Sequence, residues 1–249
     1  MPHRFTLAGK PKLSLVHSRT LLARFAPAEE LDNLYFGGGT SLTMRWGRWH
    51  STDIDYGMPL PLAKPFVTKH GPSVNAALAA LRAQGLIKRQ FFFAGRSGAW
   101  HYLGSGPVSI SAPLEAPDRS GLDREDDTGT PMIPARDVLH GKLMGRTLSG
   151  GKLLLVRDGY DLAMAFDRDR DAIESLIRQA WAEQPQAVAS VFNAIKGASH
   201  RIIIGRPIID PAEPALARDP WGYFVHEAES VLSQDKTHGD DSNRSIPSP

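Results

Sequence analysis

Asp53 and Asp55, two residues apart, are the side chains in this sequence best placed to do chemistry together. They lie in residues 51–56 (STDIDY), whose polar–apolar alternation reads as a short strand. On a strand, side chains two residues apart point to the same side, so both carboxylates face one spot. Two hard oxygen ligands on one rigid element suit Mg²⁺, which takes few carboxylates and draws its other ligands from water and phosphates. Upstream, Gly37-Gly38-Gly39-Thr40-Ser41 ends one apolar run and precedes a second, with Leu42, Met44, Arg45 and Trp46. Glycines followed by Thr and Ser mark a strand–turn–helix junction, and Gly47 closes the short helix as a C-cap. Glycine lets a backbone come close to a triphosphate, and the N–H groups that open a helix favour negative charge. Strand, glycine turn, helix and carboxylate strand therefore compose a nucleoside-triphosphate site, with Gly38, Gly39, Thr40 and Ser41 on the substrate side. Singly these features are common: an isolated D-x-D is mostly a solvated strand edge, a glycine triplet mostly a turn. Their order within one short unit gives the pattern its specificity.

The elements that must hold these residues can be read around them. Residues 1–36 form a lead-in with a short helical start near Pro27-Ala28-Glu29-Glu30. Residues 72–86 carry Val74, Ala77, Leu78, Leu81 and Leu86 near helical spacing, with Gly85 at the end. Strand-like runs follow at 87–93 and 99–103, joined by the hairpin signal Gly95-Arg96-Ser97-Gly98, and a shorter alternating run covers 108–112. Residues 116–131 are polar, charged and flanked by Pro and Gly, which predicts an exposed loop and a boundary. Beyond it the period becomes helical, over 136–146, 157–166, 169–184, 185–195 and 221–232, with one β-branched run at 201–204. Residues 233–249 lack apolar periodicity and read as a disordered tail. The expectation is an α+β fold: a mixed-sheet domain over 1–132, a helical C-terminal domain over 133–232, and the tail.

Composition sets bounds on function. The chain has 249 residues, enough for one large domain or two small ones. It has no cysteine, which excludes disulfides, thiolate metal sites and a cysteine nucleophile. A formal charge of +2 neither demands nor excludes nucleic acid. Met1-Pro2-His3-Arg4 has no apolar leader and no run approaches a membrane span, so the expectation is a soluble cytoplasmic protein. The nine histidines form no H-x-x-x-H pair, and His50, His70 and His101 read as surface or loop residues. Phe91-Phe92-Phe93 reads as strand core.

Residues 38–55 resemble the opening motif of the AbiEii/AbiGii nucleotidyltransferase toxins, a branch of the polymerase-β-like superfamily. That motif runs Gly-Gly-Thr, a small residue, Leu, then Arg, Gly, Ser and Asp-x-Asp. This sequence follows it without a gap through Arg45, Gly47, Ser51, Asp53 and Asp55, with Trp49 where a basic residue is expected. Some ninety residues on, Lys142-Leu143 and Arg157-Asp158-Gly159-Tyr160-Asp161-Leu162 are similar to the family's later motifs. The resemblance spans roughly residues 30–165. It implies a polymerase-β-like nucleotidyltransferase mixed sheet with a helical C-terminal region. It implies triphosphate binding by Thr40 or Ser41, two Mg²⁺ ions on Asp53 and Asp55, and active-site places for Lys142 and Asp158, with Asp161 structural. The reaction implied is transfer of an NMP from an NTP to an acceptor hydroxyl, with RNA or tRNA as the implied acceptor. The implied setting is the toxin of a toxin–antitoxin or phage-defence pair, with an antitoxin protein as partner.

One departure keeps alternatives open. Many polymerase-β-like enzymes carry a third carboxylate on a later strand, and the candidate strand here, residues 108–112, has Ser109 and Ser111 and no acid. Glu115 lies just beyond, and Asp158 could substitute from the helical region. The alternatives are a catalytically silent nucleotidyltransferase-fold module that binds nucleotide or RNA, and a non-enzymatic interaction protein.

Overall fold

The computed structural model describes residues 3–47, 52–94, 97–114, 122–149, 154–197, 202–203, 208, 211 and 213–241. It divides into two compact units, Met1–Val138 and Leu139–Pro249. The division falls six residues beyond the expected boundary at 132.

In the first unit the elements are β1 (Arg4–Phe5), α1 (Gly9–Leu22), α2 (Ala28–Leu31), β2 (Tyr35–Gly37), α3 (Gly38–Trp46), β3 (Ile54–Pro59), α4 (Leu60–Ala83), β4 (Ile87–Ala94), β5 (Ser97–Tyr102), β6 (Pro107–Leu114) and β7 (Arg124–Glu125). Five strands form one mixed sheet in the order β2-β3-β6-β5-β4. Only the β3–β6 pair is parallel; its neighbours run antiparallel. The short β1 and β7 pair separately, in parallel. Helices α1 and α4 pack on the sheet, and Leu15, Leu22, Phe66, Val74 and Leu78 share one core with Ile54, Tyr56, Val108 and Ile110.

Two helices depart from the sequence reading. α1 is absent from it because the helix places Ser14 and Ser18, as well as Leu15 and Leu22, against the core. Those serines are satisfied internally: Ser14 Oγ donates to the Gly106 carbonyl at 2.7 Å, and Ser18 Oγ shares a hydrogen bond with the Tyr56 hydroxyl at 2.8 Å. α4 begins at Leu60, well before the expected start at Pro72. Pro61 sits at the start, where its missing N–H is harmless, but Pro65 and Pro72 lie inside the helix. The buried stripe nevertheless continues through Ala63, Phe66, Val67, His70, Val74 and Leu78 at helical spacing. Packing of that stripe outweighs the propensity penalty. His70, expected at the surface, is buried and hydrogen-bonds Glu30 at 2.6 Å.

The segment expected as an exposed loop over 116–131 is only partly one. Residues 115–121, including Glu115, lie outside the described residues. β7 follows, with Glu125 fully buried and accepting hydrogen bonds from the Asp127 and Thr128 backbone N–H groups and the Thr128 hydroxyl. A buried carboxylate is tolerable when several donors satisfy it.

The second unit is mainly helical. α5 (Ala135–His140), within which the division falls, leads into a π-helical segment, Gly141–Leu148. Then come β8 (Leu154–Leu155), α6 (Val156–Arg168), α7 (Arg170–Glu183), α8 (Pro185–Lys196), β9 (Ile202–Ile203), α9 (Pro214–Arg218) and α10 (Pro220–Asp241). β8 and β9 pair in parallel. α10 packs on α6, α7 and α8, with Phe224 meeting Phe166, Phe192 and Trp221 edge-on or tilted. The helix runs to Asp241, into the segment expected to be a tail; residues 242–249 lie outside the described residues. Among the described residues no helix is long and apolar enough to cross a membrane.

Candidate active site

In the first unit, the glycine junction and the carboxylate strand meet directly. β2 ends at Gly37, α3 begins at Gly38, and β2 lies antiparallel to β3 with Gly37 opposite Asp55. Gly38 has φ +69°, in the left-handed region, and a Cβ there would lie 2.2 Å from Asp55 Oδ2. No side chain fits between the start of α3 and this carboxylate, and only glycine takes the backbone angle without strain. At the other end of α3, Gly47 has φ +73° and closes the helix in the left-handed C-cap the sequence predicts.

The carboxylates face away from the core. Ile54 and Tyr56 are buried, 0% and 1% exposed, whereas Asp53 and Asp55 are half-buried, the alternation expected of a strand with one face packed. Asp53 immediately precedes β3, and the backbone just before it packs closely on Gly106, where a Cβ would lie 2.0 Å from the Thr52 carbonyl oxygen. Tyr56 anchors the strand from beneath, and burial pushes its phenol well above the ordinary tyrosine pKa. On the other side of β3, Asp55 is paired with Ser109 of β6, whose Oγ donates to Asp55 Oδ1 at 2.7 Å. The residue beside the carboxylate is thus Ser109 and not Ser111, which pairs with Gly57. Among the described residues no group of three or more His, Cys, Asp or Glu side chains comes together as a metal cage.

The hydroxyls of α3 are placed differently from one another. Thr40 and Ser41 are both fully buried. Ser41 Oγ donates to the Gly38 carbonyl at 2.9 Å, tightening the first turn. Thr40 Oγ1 is buried with no hydrogen-bond partner among the described residues. Such a group is rare in a native fold. Arg45, at the last turn, pairs with Asp123 at 3.3 Å and stacks over Phe5, so it holds α3 to the β1–β7 edge. Ser51 and Trp49 lie outside the described residues.

Lys142 and Asp158 come together in the second unit, in a setting the sequence did not suggest. Both are buried, 4% and 2% exposed, on the π-helical segment and α6. Lys142 Nζ donates to Asp158 Oδ1 at 2.6 Å and is 2.8 Å from Asp161 Oδ2. Arg146, half-exposed, reaches Asp158 Oδ2 at 3.3 Å. Burial pulls the Lys142 ammonium toward neutrality, but Asp161 and then Asp158 outweigh it and hold its pKa above the ordinary lysine value. Lys142 is therefore a charged, fully engaged ammonium. Gly159 is required beside Asp158, because a Cβ there would meet the Trp221 ring at 2.6 Å.

Sequence reasoning singled out Ser109 only together with Ser111, and it missed Arg146. The two-residue period of β6 marks Ser109 and Ser111 equally, and only strand register separates them. Arg146 lies four residues after Lys142, a helical spacing that does identify it as a neighbour.

No known family profile matches the chain, and no curated protein matches it. Among solved structures it is similar to a proposed nucleotidyltransferase from Helicobacter pylori, with 13% identity and a TM-score of 0.43 over 89% of this chain and 96% of that one. It is also similar to JHP933 from Helicobacter pylori, with 11% identity and a TM-score of 0.47 over 92% of this chain and 97% of that one. At that distance neither likeness assigns a family or an activity.

Proposed function

We propose that this chain is a metal-dependent nucleotidyltransferase of the polymerase-β-like kind, moving an NMP from an NTP to an acceptor hydroxyl. The observation that carries the reading is the fit of Gly38 against Asp55. A glycine with positive φ is held where any side chain would strike the carboxylate, at the point where a helix opens. Such close approach is what a phosphate-binding turn beside a carboxylate strand needs. The half-buried carboxylates of Asp53 and Asp55, on the face opposite the core, are hard oxygen donors that suit Mg²⁺. Bound there, Mg²⁺ would neutralise phosphate charge and polarise the reacting oxygens.

The chain's own residues then have defined tasks. Gly38 and Gly39 bring backbone N–H groups toward the triphosphate, and the unpartnered Thr40 hydroxyl supplies a further donor beside them. In the transfer, the acceptor oxygen forms a bond to the α-phosphorus while the bond to the β-phosphate oxygen breaks and pyrophosphate leaves. The resemblance further assigns Lys142 to a nucleotide phosphate and Asp158 to the acceptor hydroxyl; in the second unit the two are engaged with each other in a buried ion pair. The acceptor proposed is RNA, with tRNA the first to test, and the biological role that of a toxin neutralised by an antitoxin protein.

Incubation with each labelled NTP, Mg²⁺ and total cellular RNA tests this. Label should pass to RNA with the wild type, fall at least a hundredfold in Asp53→Asn and Asp55→Asn, on the order expected when a group stabilising the transition state is lost, and fall steeply in Asp158→Asn. Undiminished transfer by the Asp53/Asp55 double variant would remove the metal assignment. A second reading, a silent module that binds nucleotide, is favoured by β6 offering Ser109 where an acid is common. Tight Mg-NTP binding with no transfer to any RNA would select it.

A further inference from the structure

We propose that Arg146, and not Lys142, is the cation that this π-helical segment offers to a phosphate of the acceptor RNA. The inference rests on RNA being the acceptor, and it departs from the resemblance, which gives the phosphate to Lys142.

Lys142 is committed elsewhere. It is 4% exposed, its Nζ donates to Asp158 Oδ1 at 2.6 Å, and the same atom lies 2.8 Å from Asp161 Oδ2. Turning it outward would take a cation from two buried carboxylates, and an uncompensated buried charge is costly. A phosphate therefore meets this network through a cation that reaches the surface.

Arg146 meets that requirement. It lies four residues on, in the same π-helical segment, with its side chain half-exposed. Its Nη1 is 3.3 Å from Asp158 Oδ2, yet that oxygen is buried and accepts no hydrogen bond among the described residues. The contact is one of charge alone and uses none of the guanidinium N–H groups. Those groups form a planar fork that grips phosphate in bidentate fashion, and its separate edges can face two anions at once. Asp158 draws the guanidinium to one place before the ligand arrives, and a side chain already ordered loses less entropy on binding. The backbone setting points the same way. π-Helical turns are rare and recur at functional sites, and here Thr147 Oγ1 donates to the Lys142 carbonyl at 2.9 Å, five residues back. In the proposed reaction the triphosphate is held at the start of α3, which leaves the RNA backbone as the anion for Arg146.

Binding of a short, end-labelled single-stranded RNA to the full-length protein tests this, by fluorescence anisotropy across a salt series, in EDTA and without NTP. Arg146→Ala should weaken binding alike for RNAs of different sequence. It should also lower the slope of log affinity against log salt by about 0.7, the share of one phosphate on a single strand. Arg146→Lys keeps the charge and should restore the slope, which separates a phosphate contact from a change in fold. On the wild type, RNA should protect Arg146 from an arginine-selective dicarbonyl reagent, read by mass spectrometry, while Lys142 resists an amine reagent with or without RNA. Wild-type affinity and slope in Arg146→Ala would overturn the proposal. So would a Lys142 that reacts in the free protein and is protected by RNA. If Arg146→Ala loses affinity for Mg-NTP and keeps that for RNA, the cation serves the nucleotide and the proposal falls. RNA binding that depends on Arg146, with no label transfer, would leave this inference standing and remove the proposed reaction. A wild type that binds no RNA removes the inference and the RNA acceptor together.

Discussion

Gly38 and Gly47 bracket α3, and their contrast isolates what the candidate site asks of a single residue. Both have positive φ, +69° and +73°, but Gly47 faces open space whereas Gly38 faces Asp55. An alanine at either position must adopt a left-handed backbone, a cost of about 1–3 kcal/mol. Gly47→Ala should show that cost alone, measured by denaturant unfolding, and leave Mn²⁺ binding unchanged. Gly38→Ala should lose more stability and also weaken Mn²⁺ binding, because its Cβ displaces the carboxylate. Equal losses in the two variants, with cation binding intact in both, would show that the approach of Gly38 to Asp55 has no bearing on the site. This part of the molecule is legible in the sequence because it is local. Glycine turn, short helix and alternating strand lie within about twenty residues, and each carries its own period or cap. Ser109 is not legible in the same way. It becomes the neighbour of Asp55 only through the β3–β6 register, and no local pattern encodes a parallel pairing between distant strands.

Among the helices, the π-helical segment and α6 are joined by a buried ion network that local reasoning reads as solvated surface. Lys142 sits between Asp158 and Asp161 with almost no exposure, while Arg146 adds a more exposed contact of small worth. Removing one member of a buried network leaves the others uncompensated, typically at 3–5 kcal/mol. Lys142→Met should therefore destabilise the protein by about that much, and any loss of activity it shows must be read against that change. Asp158→Asn keeps the shape but also removes one charge of this network, so a loss of activity in it must likewise be read against its measured change in stability. The pH dependence has a definite sign. The folded pKa of Lys142 is raised above its ordinary value of 10.5, so the stability it contributes is fully present below that value and is lost as pH rises through the folded one. The difference in unfolding free energy between wild type and Lys142→Met should thus show no loss of the lysine's share across neutral pH, and should shrink only in strong alkali. A lysine contribution that fades between about pH 7 and 9, below the ordinary lysine range, would contradict a charged, doubly paired ammonium. α1 and the first half of α4 escape sequence reading for related reasons. Core positions are filled by serines in one, and prolines interrupt the other, so burial is decided by tertiary partners that composition does not reveal.

For the molecule as a whole, the sheet-first, helices-second order follows from the change in period along the chain, but the boundary between the units does not. The expected cut at residue 132 ignores how the end of the first unit returns to its beginning. His3 N donates to Asp123, β1 pairs with β7, and the Phe36 N–H and carbonyl bond to Pro131 and Ile133. Ile133 itself lies over Gly37, where a Cβ would approach it to 2.5 Å. The core cluster of this unit runs from Leu7 to Met132, entirely within residues 1–138. A chain of that length buries enough surface to fold alone. Residues 1–138 expressed as a fragment should therefore unfold cooperatively and bind Mn²⁺ with the affinity of the full chain. A fragment ending at residue 132 should be less stable. It loses the buried Ile133 side chain, worth about 1.5–3 kcal/mol, and the backbone bond that Ile133 makes to β2. Circular dichroism in urea compares the two fragments directly. If both unfold at the same urea concentration, the closure of the unit through Ile133 is without consequence; if neither folds, the core drawn here depends on residues beyond 138.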